Sequence, residues 1–314
     1  MSLAMVFPGQ GAQTVGMGRD LAEIYPAAKA VFEEVDDALG QPLSRLIWSG
    51  DSAELTRTEN AQPALMTVSI ATLRAMEAEG VKVTDAAYLA GHSLGEYSAL
   101  CAGGALTVGD AARLLRARGR AMQDAVPEGE GAMAAVLGLS FEAVAGVAAD
   151  AAEDQVVAAA NDNDPAQIVI SGHRAAVERA MALAKRRGAK RSLLLPVSAP
   201  FHCALMAPAV EAMAAALDRV EIRVPAVPVV SNVTARAEAE IDRIRALLLE
   251  QITGVVRWRE SVAWMAGQGA DVFLELGPGK ALSGMVRRVA PAVMTRPINA
   301  ARDVQAWVGE MQGV

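Results

Sequence analysis

The segment at residues 86–102 restricts the fold of this chain most strongly. The apolar run AAYLAG at 86–91 is typical of a short buried strand, and it leads through the pentapeptide GHSLG into residues with helical spacing. A strand that enters a helix through G-x-S-x-G is the context of a nucleophile elbow, a sharp turn with the serine at its apex. We therefore expect Ser93 to be a nucleophile, with an ordinary serine in a tight turn as the alternative.

Other segments extend this unit into a sheet. The run LAMVF at 3–7 ends at Pro8-Gly9, as expected of a buried strand followed by a turn. Helical spacing covers residues 18–39 and 63–79, and Pro63 is expected at the start of the second helix. Strands that alternate with helices predict an α/β fold with a parallel sheet covered on both faces.

The pattern changes after Pro127. Four strand candidates and two helix candidates follow in the order βαββαβ, which is the ferredoxin-like split motif. The turn-rich segment NDNDP at 161–165 is expected to join the two middle strands. We predict an inserted small domain at 128–198 between two parts of a main domain, 1–127 and 199–314. The second part is expected to end in a strand, DVFLEL, a GPG turn and a last helix.

The composition excludes several classes of protein. Of 314 residues, 53% are hydrophobic, which is enough for a sizeable core. The net charge of −7 argues against nucleic-acid binding, which usually requires a basic excess. No apolar run approaches the ~18 residues that span a bilayer, and MSLAMVFPGQG lacks the basic start of a signal peptide. We expect a cytoplasmic protein without a membrane segment, in which Cys101 and Cys203 form neither a disulfide framework nor a metal motif.

A serine nucleophile needs a base within hydrogen-bond reach, and the chain has three histidines. His92 adjoins Ser93, but neighbours on a tight turn usually point apart. His173 stands at a predicted helix start in the insert, where a surface position is expected. His202 lies in the loop PVSAPFHCALM, and loops at strand ends often carry catalytic groups. Elimination makes His202 the best candidate, with a structural loop histidine as the alternative.

One arginine of the predicted helix at 110–126 lies on an unexpected face. On a helical wheel, apolar residues from Ala111 to Ala125 mark one face, and Arg118 falls in its middle. The other arginines of the helix, Arg116 among them, fall on the opposite, polar face. A buried guanidinium is costly without an anion, which could be an internal carboxylate or the carboxylate of a substrate. Together with a nucleophilic serine, the second alternative suggests an acyl group with a free carboxylate at its far end.

Motifs along nearly the whole chain resemble one family. They are VFPGQGAQTVGMG at 6–18, QPAL at 62–65, AGHSLGEYSAL at 90–100, ARGRAMQ at 117–123, GAMAA at 131–135, QIVISGH at 167–173, PVSAPFHCALM at 196–206, VSNV at 230–233 and ELGPGK at 275–280. In these motifs the chain is similar to the malonyl-CoA:acyl carrier protein transacylases of fatty-acid synthesis. The resemblance implies an α/β-hydrolase-like core with a ferredoxin-like insert, in agreement with the division predicted from the pattern.

The resemblance also implies a ping-pong reaction. Ser93 would accept the malonyl group from malonyl-CoA, His202 would be its base, and Arg118 would grip the malonyl carboxylate. The main-chain carbonyl of Gln251 would orient His202 in place of the Asp of a Ser-His-Asp triad. The phosphopantetheine thiol of acyl carrier protein would then take the malonyl group. No metal or redox cofactor is implied.

An oxyanion hole is implied at the first strand. Gln10 and the backbone N–H of Leu94 would hold the oxyanion. A dinucleotide-binding loop is the alternative interpretation of the GQG segment, but it fails because Thr14 stands where a third glycine is needed.

Four further side chains complete the predicted substrate site, namely Asn161, Asn163, Phe201 and Met122. The two asparagines match residues at the pocket edge of the family, although turn formation is an equally simple role for them. In related acyltransferases, bulk at the positions of Leu94 and Phe201 accompanies a preference for malonyl groups. Met122 lies on the same apolar helix face as the buried arginine.

The implied partners are malonyl-CoA and acyl carrier protein, and a monomer is expected. Acyl carrier protein is acidic, and so is this chain, so docking needs a local basic patch. The basic run from Lys185 to Arg191 is the clearest candidate, and Arg287 with Arg288 is another. Solvated helix ends are the alternative interpretation of both.

Three other functions remain open at this point. A serine hydrolase would use the same elbow, although it would not need Arg118. An acyltransferase of a malonate-decarboxylating complex, or one that serves polyketide synthesis, would share every motif. A non-catalytic module of this fold is the third. The presence of four residues argues against it, namely Ser93, His202, Arg118 and Gln10.

Overall fold

The fold mixes strands with helices, and up to five consecutive α-helices separate neighbouring strands of the sequence. The structure, a computed structural model, describes residues 2–312, with only the backbone at 312. This range contains ten strands: β1 (Leu3–Phe7), β2 (Ala86–Gly91), β3 (Gly131–Leu137), β4 (Val157–Asp164), β5 (Gln167–His173), β6 (Arg191–Leu194), β7 (Val229–Val230), β8 (Ala237–Glu238), β9 (Val272–Leu276) and β10 (Met294–Ile298). It also contains fourteen α-helices: α1 (Arg19–Ile24), α2 (Pro26–Leu39), α3 (Leu43–Ser49), α4 (Ser52–Thr56), α5 (Thr58–Ala78), α6 (Gly95–Ala102), α7 (Val108–Asp124), α8 (Phe141–Ala152), α9 (Arg174–Arg186), α10 (Ala207–Leu217), α11 (Ile241–Thr253), α12 (Trp258–Gly267), α13 (Ala281–Val289) and α14 (Ala301–Gln312).

Six strands form the larger sheet, in the order β10-β9-β1-β2-β7-β8. The strands from β10 to β7 are parallel, and β8 at the edge runs antiparallel to β7. The central strand β1 is buried at every residue, as expected where helices cover both faces of a parallel sheet. The predicted α/β fold with a parallel sheet is confirmed.

The register of this sheet brings distant segments of the chain together. Phe7 at the end of β1 is paired with Gly91 at the end of β2. The carboxyl ends of parallel strands lie at the same edge of a sheet, so the residues that follow these strands meet there. This is the edge where α/β proteins bind ligands. Gln10 and Ser93 therefore lie at one edge, and Asn232, just beyond β7, joins them.

The remaining four strands form a separate antiparallel sheet in the order β4-β5-β3-β6. Helices α8 and α9 pack on it around an apolar cluster of their own. The predicted ferredoxin-like βαββαβ unit is confirmed. All of its elements lie between Gly131 and Leu194, while the domain boundaries at 127/128 and 198/199 stay a prediction.

The expectation of a turn at NDNDP is wrong. Strand β4 continues through this segment to Asp164, and β5 begins again at Gln167. The turn preference of the four polar residues is overridden because their side chains and backbone find partners in the main domain. Asp162 pairs with Arg259 of α12, at 2.8 Å, and Asp164 pairs with Arg288 of α13, at 2.8 Å.

Helix α5 begins five residues earlier than predicted, at Thr58, so that Pro63 lies inside it. The extra turn is buried against α7, where Gly119 permits a close approach: a Cβ at that glycine would lie 2.5 Å from Cα of Glu59. Burial on this scale offsets the backbone hydrogen bond that the proline removes. The start of α5 therefore carries side chains directly to the predicted position of Arg118.

The end of the chain also differs from the prediction. After α13, expected to be the last helix, the chain adds β10 at the sheet edge and then α14. Arg296 and Pro297 hide the strand pattern in β10, but a proline is tolerated on an edge strand. In the range that the structure describes, no helix combines the length and apolar character needed to cross a membrane.

Candidate active site

Ser93 stands at a strained turn between β2 and α6. Its φ of 54° lies in the left-handed region, which is unfavourable for a residue with a side chain. The glycines on either side are required by close packing. A Cβ at Gly91 would lie 1.8 Å from the carbonyl oxygen of Gly95, and a Cβ at Gly95 would lie 2.3 Å from that of Phe7. The pentapeptide therefore forms the sharp turn expected of an elbow.

Asn232 clamps this turn from outside the pentapeptide. Its Oδ1 accepts the backbone N–H of Ser93 at 2.7 Å, and its Nδ2 donates to the carbonyl of Gly91 at 2.7 Å. Asn232 itself is fully buried, so these bonds hold the strained conformation of Ser93 in place. This role was not predicted from the sequence, although Asn232 stands two residues after β7 in the VSNV motif.

The hydroxyl of Ser93 lies against His202. Their Oγ and Nε2 atoms are 2.7 Å apart, and Nδ1 of His202 lies 2.9 Å from the main-chain carbonyl of Gln251. A carbonyl only accepts, so Nδ1 carries the proton and Nε2 is free to accept the Ser93 proton. Burial, together with the charge of Arg118, lowers the pKa of His202 to about 3. The histidine is thus a neutral base at physiological pH.

Arg118 projects from α7 into the same space and is 2% exposed. Its Nη2 donates to Oγ of Ser93 at 3.1 Å and to Oε1 of Gln251 at 2.9 Å, while its Nη1 donates to Oε1 of Gln62 at 2.7 Å. Its buried Nε–H has no partner among residues 2–312. The guanidinium is therefore held beside the nucleophile, and at least one of its N–H donors is available to a ligand.

An internal carboxylate was the alternative partner for this arginine. No carboxylate within the described chain comes within ion-pair distance of Arg118. The nearby Glu96 instead accepts hydrogen bonds from the backbone of Asn232 and from Nε2 of Gln251, and burial raises its pKa to about 7. Burial also lowers the pKa of Arg118 itself. An anion entering the site would relieve this cost, which favours the substrate-carboxylate alternative.

The cavity in front of Ser93 has a volume of about 540 Å³. The predicted site residues Gln10, Leu94, Asn161, Asn163 and Phe201 all line it, together with the nucleophile, the base and Arg118. Gln251 touches the reacting groups from behind. The backbone N–H of Leu94 makes no hydrogen bond to the described part of the protein, so it is available to a ligand.

His92 points away from its neighbour, as expected. Its Nε2 lies 2.8 Å from Oδ1 of Asn163, which links the elbow to β4 of the small domain. Asn163 and Asn161 thus lie in a strand rather than in the turn that was their alternative role. The third histidine, His173, accepts a backbone hydrogen bond from Val156 and lies outside the cavity.

Two residues of α7 differ from the prediction. Met122 is fully buried but does not line the cavity, because Gln62 stands in front of it, with its Nε2 3.9 Å from the Met122 sulfur. Arg116, expected on a solvated face, is 8% exposed and donates to Oδ1 of Asn60 at 2.9 Å. Helix α7 packs against α2, α5 and α10, so more of its surface is covered than a two-sided wheel assumes.

The predicted basic runs lie on the surface. The side chains from Lys185 to Arg187, with Lys190 and Arg191, are exposed at the end of α9 and the start of β6. Arg187 pairs with Asp150. Arg288 forms an ion pair with Asp164 of β4 in the small domain. Its neighbour Arg287 is exposed.

A strained serine, a neutral histidine that accepts its proton and a free backbone N–H define an enzyme that forms an acyl-serine. The buried arginine beside the serine offers a cation to an anionic ligand. The chain belongs to the acyl transferase domain family, whose sequence model matches residues 4–311.

Known proteins that resemble this chain in sequence and in structure support the same family. The chain is 48% identical to malonyl CoA-acyl carrier protein transacylase of Escherichia coli K12, over 94% of this chain and 95% of that one. It is 49% identical to the Bacillus subtilis protein of the same name, over 91% and 90%. The crystal structure of acyl-carrier-protein-S-malonyltransferase from Bartonella henselae superposes with a TM-score of 0.96 at 49% identity, covering 100% of both chains. A malonyl-transacylase in complex with its type II PKS acyl-carrier protein gives 0.96 at 41% identity, covering 99% of this chain and 100% of that one.

Proposed function

We propose that this acyltransferase moves the malonyl group of malonyl-CoA to the phosphopantetheine thiol of acyl carrier protein through a malonyl-Ser93 intermediate. The observation that carries the proposal is the position of Ser93 Oγ, 2.7 Å from His202 Nε2 and 3.1 Å from Arg118 Nη2. One neighbour takes a proton, and the other offers a cation for a carboxylate at the far end of the acyl group. The names of the E. coli and B. subtilis relatives support the same reaction.

The first half-reaction acylates the enzyme. His202 Nε2 removes the hydroxyl proton as Ser93 Oγ attacks the thioester carbon, and the oxyanion lies between Leu94 N–H and the Gln10 amide. The carbon–sulfur bond then breaks, and the proton passes from His202 to the departing thiolate of coenzyme A. The Gln251 carbonyl keeps Nδ1 protonated throughout, although it stabilises the imidazolium less than a carboxylate would.

The second half-reaction reverses these roles. The carrier thiol gives its proton to His202 and attacks the malonyl-Ser93 ester, and Ser93 Oγ recovers the proton as it leaves. The enzyme supplies every group needed for both halves from its own chain, so we propose that it works without a cofactor. Asn161, Asn163 and Phe201 line the cavity that the pantetheine arm must enter, and we propose that they contact the substrate.

Arg118 gives the site its specificity for an acidic acyl group. Its Nε–H and one Nη1 hydrogen are not used by the protein contacts, which leaves donors for the malonyl carboxylate. A site built around a buried polar group discriminates strongly against analogues that leave the group unpaired. Acetyl-CoA should therefore be a poor acyl donor.

We also propose that acyl carrier protein docks at the basic run of the small domain and that the enzyme is a monomer. The exposed residues Lys185, Arg186, Lys190 and Arg191 form no ion pair with the described part of the chain. Unpaired surface cations attract an acidic partner and speed its encounter. The complex of a related malonyl-transacylase with its acyl-carrier protein supports a direct contact between the two proteins.

The test is incubation with malonyl-CoA followed by intact-mass measurement. The wild-type protein should gain one malonyl group, and Ser93→Ala should gain none. Ser98→Ala is a matched control, because Ser98 is buried in α6 with no hydrogen-bond partner in the described residues; it should still be acylated. Addition of phosphopantetheinylated carrier protein should remove the adduct and yield malonyl-carrier.

Other outcomes would contradict the proposal. Free malonate without an adduct would indicate a serine hydrolase. No reaction at all would indicate a non-catalytic module.

A further inference from the structure

A chain of three hydrogen bonds joins the arginine of the site to the oxyanion side of the cavity. Arg118 Nη1 donates to Gln62 Oε1 at 2.7 Å, Gln62 Nε2 donates to Thr58 Oγ1 at 2.9 Å, and Thr58 Oγ1 donates to Gln10 Oε1 at 3.0 Å. Thr58 and Gln62 are at most 1% exposed. Neither position was identified from the sequence, since Thr58 falls before the predicted start of its helix.

The directions of the first two bonds in this chain are fixed by Arg118. A guanidinium has donors only, so Gln62 must turn its carbonyl to Arg118 and its NH₂ to Thr58. The Thr58 oxygen then accepts from Gln62, and its own proton is free for another acceptor. Gln10 provides that acceptor through Oε1, which leaves its NH₂ group without a partner in residues 2–312 and on the cavity side.

We propose that Thr58 is a positioning residue that holds the Gln10 amide in one orientation, with its oxygen toward Thr58 and its NH₂ group free. Arg118 favours this orientation through Gln62 and Thr58, because each donor finds its acceptor on the next side chain. The inference rests on the proposed function, in which Gln10 is an oxyanion donor. A glutamine amide can rotate by half a turn with almost no change in shape, and it would then present an oxygen to the developing oxyanion. The Thr58 hydroxyl opposes this rotation, because the rotation would remove the one acceptor that its proton has among the described residues.

The close packing of α5 and α7 makes the connection possible. Gly119 follows Arg118 directly, and its lack of a side chain lets the start of α5 reach α7. Thr58 and Gln62 are four residues apart on α5, so they lie on one face of the helix. The sequence T-E-N-A-Q at 58–62 thus places one hydroxyl and one amide between the two functional groups.

Removal of the hydroxyl should affect catalysis more than binding. Loss of one oxyanion donor costs about 10²–10³ in kcat. In Thr58→Val the Gln10 amide can adopt both orientations, so a smaller loss is expected, about 10-fold to 100-fold in the rate of malonyl-Ser93 formation at saturating malonyl-CoA. The concentration of malonyl-CoA at half saturation should change by less than about threefold, because Arg118 stays in place.

The experiment measures acylation by quenched flow and intact mass for Thr58→Val, Thr58→Ser, Gln10→Ala and the Gln10→Ala/Thr58→Val double variant. Thr58→Ser keeps the hydroxyl and should retain the wild-type rate within about threefold. In the Gln10→Ala background, Thr58→Val should cause no further loss, since it acts through Gln10. Thr72→Val is the matched control: its hydroxyl is equally buried in α5 but donates to the Val68 carbonyl, and its rate should not change.

Several results would overturn the proposal. They are an unchanged rate in Thr58→Val, a rate in Thr58→Ser as low as in Thr58→Val, or an equal further loss in the Gln10→Ala background. Thr58→Ala removes the same hydroxyl without adding a methyl group and must give the same pattern, so the test survives poor folding of the valine variant. Wild-type protein that forms no malonyl-Ser93 would contradict the proposed function itself and, with it, this role.

Discussion

Replacement of Arg118 by methionine should convert a malonyl-selective site into an unselective one. Methionine fills much of the arginine volume and removes all five donors. The substitution deletes three bonds to the protein, to Gln62, Ser93 and Gln251, and in the proposed complex it also deletes the bonds to the malonyl carboxylate. Only the last of these distinguishes malonyl from acetyl.

The magnitude follows from the burial of the arginine. At 2% exposure, the guanidinium and a bound carboxylate form a buried ion pair, and removing one partner of such a pair costs about 3–5 kcal/mol. At 1.36 kcal/mol per factor of ten, kcat/KM for malonyl-CoA should fall by about 10²–10⁴. The value for acetyl-CoA should fall much less, because acetyl offers no anion to lose. The ratio of the two values cancels the bonds that both substrates share.

The assay is the rate of acyl-serine formation with each thioester, followed by intact mass. Arg116→Met is the matched control, since Arg116 is also buried on α7 but contacts Asn60 rather than the cavity. It should leave the malonyl-to-acetyl ratio within about threefold of the wild type. A ratio in Arg118→Met that stays near the wild-type value would refute the assignment of Arg118 as the carboxylate clamp.

Two further predictions concern the base and the carrier. Because burial and the neighbouring guanidinium hold the pKa of His202 at about 3 instead of 6.5, the imidazole stays neutral as the pH falls, and kcat/KM for acylation should be level from about pH 8 to about pH 5. A loss of half the activity near pH 6.5, measured with enzyme that is still folded, would show that this pKa is not depressed. Reversal of charge in Lys185→Glu/Arg186→Glu should raise KM for carrier protein about tenfold, with a steeper effect at low salt, and leave KM for malonyl-CoA unchanged. The exposed Arg302→Glu on α14 is the control; equal effects of both would place docking elsewhere.

Features that depend on neighbouring residues could be predicted from the sequence. The elbow is one of them, because its strand, glycines and helix follow each other within 17 residues, 86–102. The period of α7 was enough to find Arg118 at a buried position, and the βαββαβ order was enough to predict the second sheet. The family resemblance supplied Gln10 and Gln251, which no periodicity indicates.

Features that depend on distant partners could not be predicted. The NDND segment has the composition of a turn, and its ion pairs with α12 and α13 become visible only in the folded protein. Glu96 has the local appearance of an ordinary helix residue in the first turn of α6, yet it holds Gln251 and the backbone of Asn232. Thr58 was missed for a related reason. Its hydroxyl can connect Gln62 with Gln10 only because Gly119 lets helix α7 pack closely against the start of α5.

The clamp on the elbow has a consequence for the newly made chain. Asn232 stands 139 positions after Ser93, and its side chain accepts the backbone N–H of the strained serine. A ribosome-bound chain that has completed the G-x-S-x-G motif, and even the whole small domain, lacks the side chain that fixes the turn. His202 and Gln251 also lie on the late part of the chain. We therefore expect a growing polypeptide to remain unreactive toward acyl thioesters until β7 and α11 have been synthesised and have docked beside β2.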